Sequence, residues 1–419
     1  MDSLLGRQAL SQRVCAIKPS GIRKFFDIAA TMEDIISLGV GEPDFVTPEH
    51  IRQAGIRSIA AGETHYTSNY GTLELRTAIA DLLLRRYGIT YKPGSEILVT
   101  VGVSEGIDAA MRALLDPGDE VVVPDPGYVA YEADIMLAGG TVVPVTTTVE
   151  TQFAVRAGDI EARLTPRTKA ILLGNPNNPT GSVIPKGELE KIRDLVVDHD
   201  LIVLSDEVYS RLVYGAEHVS IASLPGMRER TILVDGFSKA YAMTGWRVGY
   251  VAAPAHILEA MLKIHQYAIM CAPTMSQAAA LQAIRHGEED VLAMVASYGE
   301  RRALMVDGLN AVGLTCYQPG GAFYAFPNVT VTGLSSEEFA EKLLFEERVA
   351  VVPGSAFGAA GEGYVRCTYC TATEKIEEAI VRVGRFVERY SQQVDGRTAR
   401  PARRTARRRY QNGAVRGRV

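Results

Sequence analysis

In the stretch VDGFSKAYAMTGWRVGY, residues 234–250, one lysine and one arginine stand among small and apolar groups. A buried ammonium is costly unless it is paired, neutralised or chemically modified, so Lys239 asks for one of these. Three other segments end an apolar run on a polar group. LIVLSDEVY places Asp206 after four apolar residues and one serine, with Tyr209 three positions on. A carboxylate there wants a cation or a donor. AILLGNPNNPTG carries Asn178 in a loop shaped by prolines and a glycine, and VTVGVSEG runs from a strand into a helix opening at 102–104. Backbone N–H groups at a helix N-terminus suit a phosphate, and Ser104 adds a hydroxyl.

Each feature alone has an ordinary explanation: a surface lysine, a capping aspartate, an asparagine-rich turn, a capped helix. Together they are the parts of a pyridoxal-phosphate site. An amine joins an aldehyde, a carboxylate keeps a pyridine nitrogen protonated, and a helix N-terminus with an arginine holds a phosphate.

The elements that must position these groups are legible as well. Candidate strands fall at 97–101, 121–123, 141–145, 170–173, 201–204, 231–234 and 248–252, with helical patterns between them. Continuous apolar runs alternating with helices predict an α/β fold around a mostly parallel sheet covered on both faces. Ligands of such sheets collect at the carboxyl ends of the strands, where these polar residues sit. After a helical stretch at 255–310 the pattern turns α+β. GAFYAFPNV, VAVVPGSAF and GYVRCTY read as strands, Ser335-x-x-Glu338 as a capping box, and 373–392 as a closing helix. The expected organisation is an N-terminal segment (1–45) associated with a smaller domain, a large domain (46–295), a small α+β domain (296–392) and a tail (393–419).

GEPDF, NPNNPTG, SDEVY, FSKAYAMTGWRVGY and GYVR occur in this order across residues 20–390, and this text resembles the class I/II aminotransferases, pyridoxal-phosphate enzymes of fold type I. The resemblance implies that Lys239 bears the cofactor as a Schiff base and then acts as general base. Asp206 would pair with the pyridinium nitrogen, Tyr209 and Asn178 with the ring hydroxyl, and Tyr128 would stack on the ring. Backbone N–H groups of Val103 and Ser104, with Arg247 and Ser238, would hold the phosphate. Tyr66 would reach the neighbouring subunit's phosphate, implying a homodimer with shared sites. Arg366 would fork onto the substrate α-carboxylate, approached also by the backbone of Gly41; Asn178 adjoins the substrate too. Many relatives place a serine three residues before the lysine, and here that position is Gly236.

The same resemblance implies a ping-pong transfer of an amino group from an L-amino acid, aromatic or aspartate-like, to 2-oxoglutarate. The alternatives are an N-acetyl-diaminopimelate or alanine aminotransferase, or a lyase on the same fold. A transcription regulator with an aminotransferase-like domain is disfavoured, because only about twenty residues precede GIRKFF.

Composition bounds the rest. The 419 residues exceed what a single core usually sustains, and the balance of 44 basic against 49 acidic residues gives a net charge of −5. No signal peptide or membrane span is evident, which predicts a cytoplasmic protein. The five cysteines are scattered and odd in number, so no disulfide framework is expected; Cys367 and Cys370 form a C-x-x-C without a second ligand pair and read as packing. Residues 396–419 hold nine arginines and no acids. Such a tail cannot bury enough surface to fold alone, and without a nucleic-acid module it points to no nucleic-acid partner. No metal is expected.

Overall fold

A computed structural model describes residues 10–17 and 32–398. GIRKFF and the arginine-rich end from residue 399 on lie outside these residues.

All seven expected strands of the large sheet are present. After the two-residue strand β1 (Ile36–Ser37) come β2 (Ile97–Thr100), β3 (Glu120–Asp125), β4 (Thr141–Thr146), β5 (Thr168–Gly174), β6 (Ile202–Asp206), β7 (Thr231–Gly236) and β8 (Gly249–Ala252). Their spatial order is β2-β8-β7-β6-β5-β3-β4. Pairs among β3 to β7 are parallel, whereas β8 runs antiparallel to both β7 and β2. Side chains alternate between the faces. Leu172, Leu204, Ile232 and Val234 pack with Ile107, Met111, Ile135, Leu258 and Met261 from the helices on one side. Ile171, Leu173 and Val203 pack with Leu189, Ile192 and Val196 of the helix Lys186–Asp198 on the other. Burial on both faces explains why these strands read as unbroken apolar runs.

Register builds the site edge. Asp206 ends β6 beside Gly174 of β5 and Val234 of β7. Gly249 lies opposite Gly236 on one side and Thr100 on the other. Because β8 is reversed, its entrance meets the exits of β7 and β2. Arg247, before β8, therefore reaches the start of the helix Gly102–Leu114, which follows β2.

The C-terminal part differs in detail from expectation. The helical stretch at 255–310 is three helices, broken at Pro273 and Gly287. GAFYAFPNV contributes only β9 (Tyr324–Ala325), and VAVVPGSAF divides into β10 (Val349–Ala350) and β11 (Val352–Pro353), followed by a 3-10 turn. The segment changes partner at Val351: β10 pairs with β1, and β11 with β12 (Val365–Thr368). Apolar residues around these short strands are buried by packing, not by ladder pairing, which composition cannot distinguish. The capping box at Ser335 and Glu338 is formed, and the last helix runs past 392 to Thr398. Residues 36–38 join this region through Leu38, which donates to Ala350 O (2.8 Å) and accepts from Thr368 N (2.7 Å).

Cys367 and Cys370 are buried free thiols whose pKa burial pushes up, Cys370 to about 11. No cluster of potential metal ligands and no helix long and apolar enough to cross a membrane occurs among the described residues.

Candidate active site

Lys239 sits three residues beyond the end of β7, half-buried, its Nζ donating to Gly41 O at 2.7 Å and lying 5.8 Å from the Phe323 ring centroid. Burial lowers its pKa to about 8. Among the described residues no carboxylate is hydrogen-bonded to it, so its amine reaches the neutral, nucleophilic form near neutrality.

Asp206 is 6% exposed. It accepts from the Tyr131 hydroxyl at Oδ2 (2.7 Å) and from Val208 N–H at Oδ1 (3.2 Å). Burial raises its pKa to about 6 against the pull of these donors. The partner that the sequence leads one to seek as a cation is, within the protein, a phenol. An acid with this much unreturned desolvation cost is matched by a cationic ring nitrogen.

Arg366, on β12 and 3% exposed, is held on all sides. Nη1 donates to Asn178 Oδ1 (2.9 Å) and Nη2 to Gly39 O (2.7 Å). Its guanidinium lies between two rings, 4.4 Å from the centroid of Tyr324 and 4.8 Å from that of Phe357. Its Nε is buried with no partner among the described residues. A planar fork so fixed suits a carboxylate. Because Asn178 spends its oxygen on Arg366, its amide N–H2 remains to donate. The Tyr209 hydroxyl shares a 2.7 Å hydrogen bond with that of Tyr324, and burial keeps both phenols neutral.

The anion side of the site is built from the helix Gly102–Leu114. Gly102 has φ +75°, and a Cβ there would lie 2.5 Å from the Arg247 guanidinium. The conformation favours glycine, and a side chain there would push the exposed Arg247 guanidinium aside. Arg247 itself is exposed and donates from Nη1 to Thr244 O (3.0 Å), so of the two cations in the 234–250 run only the lysine is taken out of water. Val103 is half-buried, Ser104 exposed and Ser238 buried. At Gly236 a Cβ would stand 3.0 Å from Val103 Cγ2 and 3.2 Å from Gly249 Cα. A serine there would press on Val103 and Gly249, which would have to give slightly.

Tyr128 immediately precedes the helix Val129–Ala138, and its ring meets that of Tyr131 edge-on at 5.4 Å. Tyr66 is 80% exposed on the loop preceding the helix Leu73–Tyr87. Lys239 and Gly41 thus meet directly, as do Arg366 and Asn178, while Tyr209 joins them through Tyr324. Sequence reasoning missed Tyr131, Tyr324 and the carbonyl of Gly39. PGYVAY contains Tyr131 one helical turn after Tyr128, a usable signal; Tyr324 read simply as a strand residue.

A lysine of lowered pKa, a buried acid short of a cation and a guanidinium against a glycine at a helix N-terminus fit pyridoxal phosphate. With the seven-stranded sheet, they define a fold type I pyridoxal-phosphate enzyme. Residues 33–383 match the family model "Aminotransferase class I and II". The chain is 49% identical over 378 residues to an aspartate aminotransferase of Pyrococcus abyssi, covering 90% of this chain and 97% of the relative. It is 47% identical over 383 residues to aromatic-amino-acid aminotransferase 2 of Thermococcus litoralis, covering 91% and 98%. The crystallised aspartate aminotransferase of Thermus thermophilus with maleate superposes with a TM-score of 0.86 at 39% identity, over 90% of this chain and 99% of that one. The chain belongs to the class I and II aminotransferases, whose cofactor is pyridoxal phosphate.

Proposed function

We propose that this aminotransferase moves the amino group of an L-amino acid, aromatic or aspartate-like and broad in range, to 2-oxoglutarate in a ping-pong cycle. The observation that carries the reading is Arg366: a buried fork, immobilised by Asn178, Gly39 and two rings, with Nε unpartnered. Such a group recognises the α-carboxylate common to amino acids and 2-oxo acids alike. Relatives named for aspartate and for aromatic amino acids support the donor range.

Pyridoxal phosphate, when bound, supplies an aldehyde to take the amino group and a ring to take the electron pair left at Cα. Lys239 would hold that aldehyde group through its amine and would carry the proton from the substrate Cα. Its lowered pKa suits a base working near neutrality. Asp206 keeps the ring nitrogen protonated, so charge develops against a preorganised partner. Asn178 and Tyr209 donate toward the ring hydroxyl, and Tyr128 packs on the ring. Val103 and Ser104 N–H groups, Ser238 and Arg247 take the phosphate. Gly41, already within reach of Lys239, adjoins the substrate carboxylate.

The exposure of Tyr66 supports a homodimer in which a second copy lends its Tyr66 to this phosphate. A donor screen against 2-oxoglutarate with tyrosine, aspartate, alanine and N-acetyl-diaminopimelate tests the reading. Turnover with tyrosine and aspartate and parallel double-reciprocal lines are expected. Keto-acid-independent release of pyruvate or ammonia would instead indicate a lyase.

A further inference from the structure

His265, on the helix Ala255–Ala268, is fully buried, yet it belongs neither to the apolar packing nor to the site groups described above. Its Nδ1 lies 2.5 Å from Glu105 Oε1, and its Nε2 has no partner among the described residues. The other carboxylate oxygen of Glu105, Oε2, accepts the backbone N–H of Val101 at 2.5 Å. Val101 is the cap residue of the helix Gly102–Leu114 and Glu105 lies in its first turn. An acid that reaches back to the cap N–H pins the entry of a helix, as in a capping box. Here the acid is itself pinned, from a second helix, by a ring that solvent cannot reach. The imidazole with its hydrogen on Nδ1 donates to Glu105 and leaves only a lone pair at the unpartnered Nε2, so this tautomer satisfies the pair.

The tether encloses the turn Val101-Gly102-Val103-Ser104. This turn is constrained on its other side by Arg247 against Gly102 and by Gly249, where a Cβ would lie 2.9 Å from Val103 N. An anion site made of backbone N–H groups works only if those groups already point at one place, because their direction is set by the backbone alone. We propose that Glu105 and His265 are positioning residues for the phosphate cup, holding the Val103 and Ser104 N–H groups in line with Arg247. This rests on the reading that these groups take the cofactor's phosphate.

Comparing pyridoxal phosphate with pyridoxal, which lacks the phosphate, isolates the effect. Dissociation constants of both are measured by visible absorbance on cofactor-free Glu105→Ala, on His265→Phe (ring volume kept, donor lost) and on His265→Asn (a donor kept). Glu105→Ala and His265→Phe should weaken pyridoxal phosphate about tenfold, the size of one charge-assisted hydrogen bond, and leave pyridoxal unchanged. His265→Asn should recover most of the loss. Equal weakening of both ligands, or no change in either, would overturn the proposal by reducing the pair to packing. If one variant does not fold, the other carries the test. Arg247→Gln runs alongside. If it keeps the preference for the phosphorylated ligand, the phosphate reading falls and this proposal with it. If it loses that preference while the Glu105 and His265 variants retain theirs, only this proposal falls.

Discussion

The Tyr131 hydroxyl donates a 2.7 Å hydrogen bond to Asp206 Oδ2, and it is the one side-chain donor that the buried carboxyl has among the described residues. It fixes the carboxylate plane at the end of β6. It also opposes the upward push of burial, favouring the ionised form that a protonated ring nitrogen requires.

Removing this donor shows its weight. Tyr131→Phe raises the pKa of Asp206 further above its present value of about 6. Cofactor affinity, which needs the ionised acid, should then fail on acidification at a higher pH than in the parent protein. At neutral pH, kcat/KM should drop about tenfold or more, the range of a lost hydrogen bond to a charge. Absorbance titrations at several pH values give the midpoint, and an unmoved midpoint means that Tyr131 is only packing.

Lys239 predicts a pH dependence of opposite origin. With its pKa lowered to about 8 by burial, the neutral amine grows in as pH rises toward that value and saturates beyond it. The rate at which cofactor-free protein captures pyridoxal phosphate should therefore climb through pH 7 to 8 and level off above. Stopped-flow absorbance measures it. A climb continuing to the ordinary lysine range near 10.5 would show that burial does not tune this amine. Lys239→Ala should show no capture and almost no turnover.

Arg366→Lys tests the fork. A point-charge ammonium cannot donate to Asn178, Gly39 and a carboxylate in one plane, nor stack between Tyr324 and Phe357. KM for both the amino acid and the 2-oxo acid should rise about 10- to 100-fold, the loss of one or two charged hydrogen bonds. Bound cofactor, read from its visible absorbance, should stay at parent level.

Gly102→Ala tests the anion side. The new Cβ meets the Arg247 guanidinium at 2.5 Å, and the backbone is held at φ +75°. The left-handed conformation alone costs about 1–2 kcal/mol for a residue with a Cβ. Arg247 must also move. Lower thermal stability together with a weaker hold on pyridoxal phosphate is expected, and unchanged affinity would separate Gly102 from the cup.

The large sheet was readable strand by strand, because burial on both faces writes continuous apolar runs into the chain. The ends of those runs carried Asp206, Asn178 and, a few residues on, Lys239, so the chemistry was legible as exceptions to an apolar pattern. Short strands such as β9 and β10 were not separable, since their neighbours are equally apolar for reasons of packing.

What the sequence by itself determined was the family, the fold and an ordered set of candidate reacting groups, since residue type and period are local properties. What only the tertiary structure decided was how those groups are held. Tyr131 under Asp206, Tyr324 between Tyr209 and Arg366, Gly39 on Arg366 and His265 on Glu105 join residues 75, 115, 327 and 160 positions apart. No local pattern records such pairings. They follow from which strands, loops and helices pack on one another, which places a donor within 3 Å of an acceptor only once the chain has folded.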